Sequence, residues 1–200
     1  WKLESFEKRA KIIESIGKQL AKNKTELAKL MTQEMGKLIN QSEQEVDLCV
    51  GICNYTATNG PENLKDEVKN LSNGTKGIVS YSPTGIIYGI QPWNYPSYQV
   101  IRYAIVNLMA GNGVLLKHAS NVTGTGQLLE KIFIDAGLPK GLFKALIVSH
   151  EQSDTIIKNK NVRGITLTGS SVAGKNIGEK ATSQLKKVVL ELGSNDAYIV

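Results

Sequence analysis

From Gly77 onward the chain alternates short apolar runs with helical stretches, and that alternation narrows the possible folds more than any other feature. Residues 77–81 read as a strand, Ser82-Pro83-Thr84-Gly85 as a turn, and residues 86–90 as a buried strand. Helices are expected at 98–109, 125–136 and 172–182, with a shorter one near Ser153. Strands are expected at 114–117, 142–148, 164–167, 187–190 and 197–200. Parallel neighbours need a crossover between them, so strands alternating with helices imply βαβ units. Right-handed crossovers place helices on both faces of the sheet. The expected architecture is α/β and doubly wound.

The first sixty residues follow a different pattern. Leu3, Phe6, Ile12, Ile13, Ile16 and Leu20 recur at helical spacing, with lysines and glutamates opposite. Asn23-Lys24-Thr25 interrupts the run, and Thr25 is available to cap the next helix, which carries Leu27, Leu30, Met31, Met35 and Leu38. A third helix is expected at 42–58, stopped by Asn59-Gly60-Pro61. Cys49 and Cys53 share a face of it and read as core packing, since no histidine or second cysteine pair accompanies them. The expected organisation is residues 1–76 as helices packed on an α/β unit of residues 77–200.

Composition excludes several roles. With 200 residues, 41% hydrophobic and 21% charged, the chain has the balance of a globular protein, and no apolar run approaches the roughly 18 residues of a membrane span. The net charge of +6 comes from lysines scattered among acids, without the basic and aromatic face of a nucleic-acid binder. Arginine occurs only at Arg9, Arg102 and Arg163. Two cysteines cannot build a disulfide framework, which suggests a reducing, cytoplasmic setting, and with two isolated histidines they make a poor metal site. The start, Trp1-Lys2-Leu3-Glu4, resembles the middle of a helix, as though cut from a longer chain.

Ligands of doubly wound sheets gather at the carboxyl ends of the strands. Thr168-Gly169-Ser170-Ser171-Val172-Ala173-Gly174 leaves a strand and opens a helix there, where free N–H groups favour a phosphate. Gly and Ser are also what any strand-to-helix turn would use. Lys117 ends a strand and is placed for ribose hydroxyls or a phosphate, or simply faces water. Glu191 follows Val188-Val189-Leu190 on what reads as a buried strand, where burial would raise its pKa toward that of a general base unless a structural partner holds it.

Gln91-Pro92-Trp93-Asn94-Tyr95-Pro96, then Ala110-Gly111-Asn112-Gly113-Val114-Leu115-Leu116-Lys117, Ala136-Gly137-Leu138-Pro139-Lys140-Gly141, Thr168-Gly169-Ser170 and Leu190-Glu191-Leu192-Gly193 stand in one order. Together they resemble the aldehyde dehydrogenase superfamily over almost all of residues 77–200, and the N-terminal helices also fit. The resemblance implies a Rossmann-like domain that binds NAD or NADP, and an oxidation of an aldehyde to an acid. It implies a cysteine thiolate that attacks the aldehyde, with hydride passing to nicotinamide and water hydrolysing the resulting thioester. Asn94 matches the asparagine that steadies the oxyanion, and Glu191 the base that activates the water. Lys117 matches the lysine at the adenosine ribose, Gly169 and Ser170 the residues beneath the pyrophosphate, and Gly174 a close helix contact. Trp93 and Leu192 match residues beside the cofactor, to which Ile90 contributes backbone. A homo-oligomer is implied for the full-length protein.

Three departures qualify the match. Relatives mostly read Lys-Pro-Ser/Ala-Glu where this chain has Lys117-His118-Ala119-Ser120, so Ser120 removes the acid that repels a 2′-phosphate. Ser194 replaces a glycine after Glu191-Leu192-Gly193. The family's nucleophilic cysteine lies beyond the base, past Val200, and Cys49 and Cys53 are no substitute for it. The alternative to an oxidoreductase is a nucleotide-binding relative that lost catalysis. Arg102, one helical turn after Tyr98, is placed to hold a carboxylate at the far end of a short aldehyde; its position resembles that in succinate-semialdehyde dehydrogenases. Its other reading is a structural salt bridge, for instance to an acid of the N-terminal helices.

Overall fold

Apolar spacing decides where the first helices form. In the computed structural model, which describes residues 1–72 and 74–193, α1 (Phe6–Lys22) buries Ile13, Ile16 and Leu20, and Ser5 caps it by accepting from the Lys8 N–H. α2 (Lys24–Met35) follows at once. Thr25 is not its cap, as the sequence suggested; it lies inside α2, and Asn23 occupies the junction. The Asn23 amide donates to the Gln19 carbonyl at 2.8 Å, so the side chain closes the preceding helix instead. α2 ends at Gly36 with φ +79°, a left-handed turn that glycine adopts without strain.

α3 (Ile39–Asn63) runs through Asn59-Gly60-Pro61, where a stop was expected. Packing overrides the local signal. Thr56 and Gly60 are buried, and a Cβ on Gly60 would lie 2.6 Å from Met109 Cγ, so the helix is held against its neighbour through this point. Pro61 falls in the last turns, where few ladder bonds remain to be lost. A two-stranded antiparallel hairpin follows, β1 (Glu67–Asn70) with β2 (Lys76–Val79). The strand expected at 77–81 therefore pairs with one the sequence reading lacks, and Val68, Ile78 and Val79 are exposed on it.

The main sheet is built from β3 (Ile86–Gln91), β4 (Gly113–His118), β5 (Phe143–Leu146), β6 (Val162–Thr168) and β7 (Lys187–Glu191). All neighbours are parallel, in the order β5-β4-β3-β6-β7. The connecting helices are α4 (Pro96–Met109), α5 (Thr123–Asp135), α6 (His150–Lys158) and α7 (Ser171–Thr182). The expected α/β, Rossmann-like sheet is therefore present. The strand expected at 197–200 and Ser194 lie outside the described residues. Among those residues no helix is long and apolar enough to cross a membrane.

Strand alternation divides the core. Val114, Leu116 and Phe143 face α4 and α5 in one cluster that also takes in α1, α2 and α3. Tyr88, Ile165 and Leu115 join a smaller cluster with Ile157 and Ala181 of α6 and α7. Each fully buried Ile or Leu of the larger cluster contributes about 1.5–3 kcal/mol. Cys49 and Cys53 are fully buried in that cluster, in agreement with a packing role.

The N-terminal helices also complete α4 electrostatically. At its C-terminus the Trp1 indole donates to the Leu108 carbonyl at 2.8 Å and the Arg9 guanidinium to the Met109 carbonyl at 2.7 Å. At its N-terminus the buried Glu45 carboxylate accepts from the Ser97 and Tyr98 N–H groups, both at 2.8 Å. Both ends of the helix dipole thus meet a charge of the favourable sign.

Candidate active site

The chain leaves β3 outward to β4 and β5, then returns to the other side of β3 at β6, which opens a crevice at the carboxyl ends of β3 and β6. On the α6–α7 face this crevice holds a cavity of about 540 Å³, and Ile90, Lys117, Leu167, Ser170 and Ile177 are among its lining residues. Three of the expected cofactor residues, Ile90, Lys117 and Ser170, thus meet around one space.

Helix termini narrow the phosphate position. Four helices begin at this edge of the sheet. Glu45 fills the N-terminus of α4. Glu34 fills that of α5, accepting from the Gly124 and Thr125 N–H groups and the Thr125 hydroxyl at 2.6–2.9 Å. α6 carries Glu151 in its first turn, bonded to Ser149. Among the described residues only α7 of these four starts without an acid, capped by Ser170, which accepts from the Ala173 N–H at 3.2 Å. An anion is therefore best received above Gly169 and Ser170. Behind them, a Cβ on Gly174 would lie 2.5 Å from Leu192 Cδ2, so this glycine permits the close approach of α7 to the residue after Glu191.

The segment between β3 and α4 forms an arm. Trp93 and Asn94 are both exposed on it. The Asn94 Oδ1 accepts from the Tyr95 N–H at 3.1 Å, which leaves the Nδ2 hydrogens as the group this side chain offers. His118 holds the arm from below. Its Nε2 lies 2.9 Å from the Pro96 carbonyl and its Nδ1 3.2 Å from the Gln91 carbonyl, so the ring meets the arm at both flanks. Burial pushes the His118 pKa below its ordinary value. Ser120 opens a 3-10 turn (Ser120–Val122) just beyond, and is exposed.

A second cavity, of about 440 Å³, lies on the α4 face, with Arg102, Tyr103, Thr166 and Glu191 among its lining residues. Glu191 differs from expectation here. Most of β7 is exposed, and the Glu191 side chain is 52% exposed, because β7 has a neighbour only in β6 among the described residues. The apolar run Val188-Val189-Leu190 mimics a buried strand. Arg102 makes a salt bridge, as its second reading allowed, but its partner is Glu191 (Nη1 to Oε1, 3.5 Å) and not an acid of the N-terminal helices. Its guanidinium lies 5.7 Å from the Tyr98 ring centroid, so the two do share a helix face. Its Nη2 reaches the Thr168 hydroxyl at 3.5 Å.

Four residues of this region were not singled out from the sequence: Glu34, Lys37, Glu45 and His118. Glu45 had a legible signal, because it falls at helical spacing from Cys49 and Cys53 on the buried face of α3. Cys49 and Cys53 themselves are chemically quiet. Burial holds the Cys49 thiol well above its ordinary pKa and pushes that of Cys53 up to about 12, so neither supplies a thiolate near neutrality.

The profile described as "Aldehyde dehydrogenase family" matches residues 1–200. The chain is 42% identical over 200 residues to the NAD(P)+ succinate semialdehyde dehydrogenase Sad of Escherichia coli, covering 100% of this chain and 43% of that protein. It is 39% identical over 200 residues to an NADP+ succinate-semialdehyde dehydrogenase of Deinococcus radiodurans, covering 100% of this chain and 42% of that one. The succinic semialdehyde dehydrogenase of Streptococcus pyogenes, solved in complex with NADP+, superposes with a TM-score of 0.95 at 35% identity, covering 99% of this chain and 44% of that structure. The chain thus spans less than half the length of these relatives.

Proposed function

The chain belongs to the aldehyde dehydrogenase family, and on that premise we propose that it carries the cofactor site and part of the catalytic apparatus of an NAD(P)-dependent oxidation of a small aldehyde bearing a carboxylate, succinate semialdehyde first. The relatives above act on that substrate by name. The observation that carries the choice within the family is Arg102. Its planar guanidinium is seated over Tyr98 and lines the same cavity as Glu191, and a guanidinium fork binds a carboxylate bidentately.

The cofactor's fit rests on the α6–α7 cavity and on α7, which among the described residues is the one of the four helices starting at this sheet edge without an acid at its N-terminus. Ser170 and the first N–H groups of α7 hold the pyrophosphate, Lys117 the adenosine ribose, and Ile90, Trp93 and Leu192 flank the cofactor. When bound, it supplies the hydride acceptor. Ser120 places no negative charge beside the ribose, which leaves both NAD and NADP usable. On the protein side, Asn94 Nδ2 donates to the oxyanion that develops on the aldehyde oxygen, and Glu191 takes a proton from the hydrolytic water. The thiolate nucleophile is neither Cys49 nor Cys53. We place the full-length protein in the cytoplasm as a homo-oligomer, for which the exposed apolar side chains of the β1–β2 hairpin are available surface.

The Arg102–Glu191 contact favours a second reading, in which Arg102 serves structure alone. Steady-state kinetics of the full-length protein separates the two. Arg102→Ala should raise KM for succinate semialdehyde by about 30- to 150-fold, as for a lost charged hydrogen bond of about 2–3 kcal/mol, and leave butanal almost unchanged. Parallel losses on both substrates would assign Arg102 to the fold.

A further inference from the structure

The arm that carries Asn94 is tied to the N-terminal helices by a buried ion pair. Lys37, in the connection after α2, and Glu45, on α3, meet at 2.5 Å with their side chains only 7% and 0% exposed. Glu45 uses its other oxygen to accept from the Ser97 and Tyr98 N–H groups, just past Asn94. Lys37 Nζ lies 3.4 Å from the Asn94 carbonyl oxygen and 3.4 Å from the centroid of the Tyr95 ring.

A buried pair of this kind is a poor way to gain stability, because removing two charges from water offsets most of their attraction. Nor does α4 need so distant a partner. A Ser, Asp or Asn at its N-cap would satisfy the first N–H groups locally, yet Tyr95 stands there and makes no side-chain cap. What the pair does, and a local cap would not, is fix the arm from the Asn94 carbonyl to Tyr98 relative to α2 and α3.

We infer that Lys37 and Glu45 are positioning residues for the Asn94 amide. This rests on Asn94 being the oxyanion donor proposed above. Such a donor works only when it is already aimed at the developing charge, and losing one outright slows the chemical step by about 10²–10³. Loosening the arm forfeits part of that factor. Lys37 acts on the Asn94 carbonyl and the Tyr95 ring, and Glu45 on the two N–H groups that start α4; neither touches substrate.

The test is a double-mutant cycle in the full-length protein. It is read by single-turnover NAD(P)H formation, with KM for the cofactor and melting temperature measured alongside. Lys37→Met should slow single-turnover NAD(P)H formation about tenfold or more while KM for NADP+ stays within about twofold. Lys37→Arg should recover most of the rate. In an Asn94→Ala background, Lys37→Met should cost almost nothing further, since the donor it positions is gone. The same tenfold loss in both backgrounds would overturn the inference and make the pair purely structural. If Lys37→Met does not fold, the pair Lys37→Met with Glu45→Gln, which leaves no buried charge unpartnered, replaces it in the cycle with the same two outcomes. An Asn94→Ala protein with an unaltered rate would instead refute the oxyanion assignment itself, a result distinguishable from failure of the coupling.

Discussion

The arm from Gln91 to Tyr98 and the end of β7 carry the two proposed catalytic side chains, and the protein treats them oppositely. The arm is bound at both flanks. The Gln91 carbonyl accepts from the Ala119 N–H at 3.0 Å, His118 reaches Pro96, and Glu45 and Lys37 secure Asn94 to Tyr98. The end of β7 is held by its backbone, with the Glu191 carbonyl accepting from the Gly169 N–H at 3.0 Å, while among the described residues its carboxylate has one loose contact, with Arg102. The two proposed roles ask for different support. An oxyanion donor is effective in proportion to how little it must reorganise. A base that collects protons from water needs access to water and room to turn.

The largest expected effect lies at the loosely held end. Glu191→Gln in the full-length protein should lower steady-state turnover by about 10²–10⁴, the range for a positioned general base. The first equivalent of NAD(P)H should still form at close to the normal rate, because the base acts after it. Rapid-quench or stopped-flow absorbance measures both phases. Equal loss in the two would mean that Glu191 matters to structure, and the contrast between the regions would collapse.

Next in size is the fixed end. Asn94→Ala should slow formation of the first NAD(P)H by about 10²–10³ with little change in melting temperature, since the side chain is exposed and its one described bond is to its own neighbour. A large drop in melting temperature with an intact rate would reverse the roles assigned to side chain and arm.

How much of this was legible from the sequence also divides along the same line. The parallel sheet was legible because period and length agree along it: Ile86-Ile87-Tyr88 is short and apolar, while α4, α5 and α7 each run several turns. Lys117, Ser170 and Ile90 stand at or just past strand ends, where a ligand of such a sheet is expected, and they line one cavity. What was hidden depends on which elements touch. Whether Val188-Val189-Leu190 is covered is a property of its neighbours, so the exposure of Glu191 had no local signal. β1 was hidden because Glu67-Val68-Lys69-Asn70 has one apolar residue and forms a strand only by pairing with β2. The stop at Asn59-Gly60-Pro61 was a sound local signal overruled by Met109 from another helix. Lys37 and Glu45 look like two more surface charges until α2, α3 and the arm are brought together.

A smaller effect is expected at the cofactor's ribose. Ser120→Glu restores the acid of the commoner pattern at an exposed position next to the fixed strand end. The ratio of kcat/KM for NADP to that for NAD should fall about tenfold or more, equivalent to roughly 1.4 kcal/mol of repulsion, while NAD use is retained. Were the unaltered protein already to prefer NAD by more than about a thousandfold, Ser120 would have no part in cofactor choice.

The smallest effect tests whether the arm is held by a neutral histidine. His118 stands in the interior between the Pro96 and Gln91 carbonyls, and burial, partly opposed by those carbonyl contacts and by Glu34, lowers its pKa from the ordinary value of 6.5. Its native pKa therefore lies below the unfolded one, and in that interval the unfolded chain binds more protons. The linked stability is complete above about pH 6.5 and is lost progressively as pH falls through the lower, native pKa. His118→Gln keeps an N–H donor for Pro96 and cannot titrate. Melting temperatures at pH 8, 6.5 and 5 should fall less steeply for this variant than for the unaltered protein, with the two curves diverging only below about pH 6.5. The carboxylates elsewhere contribute equally to both curves and cancel in the difference. Parallel curves would show that the histidine gains no proton on unfolding, and that the arm is held by something other than its neutral ring.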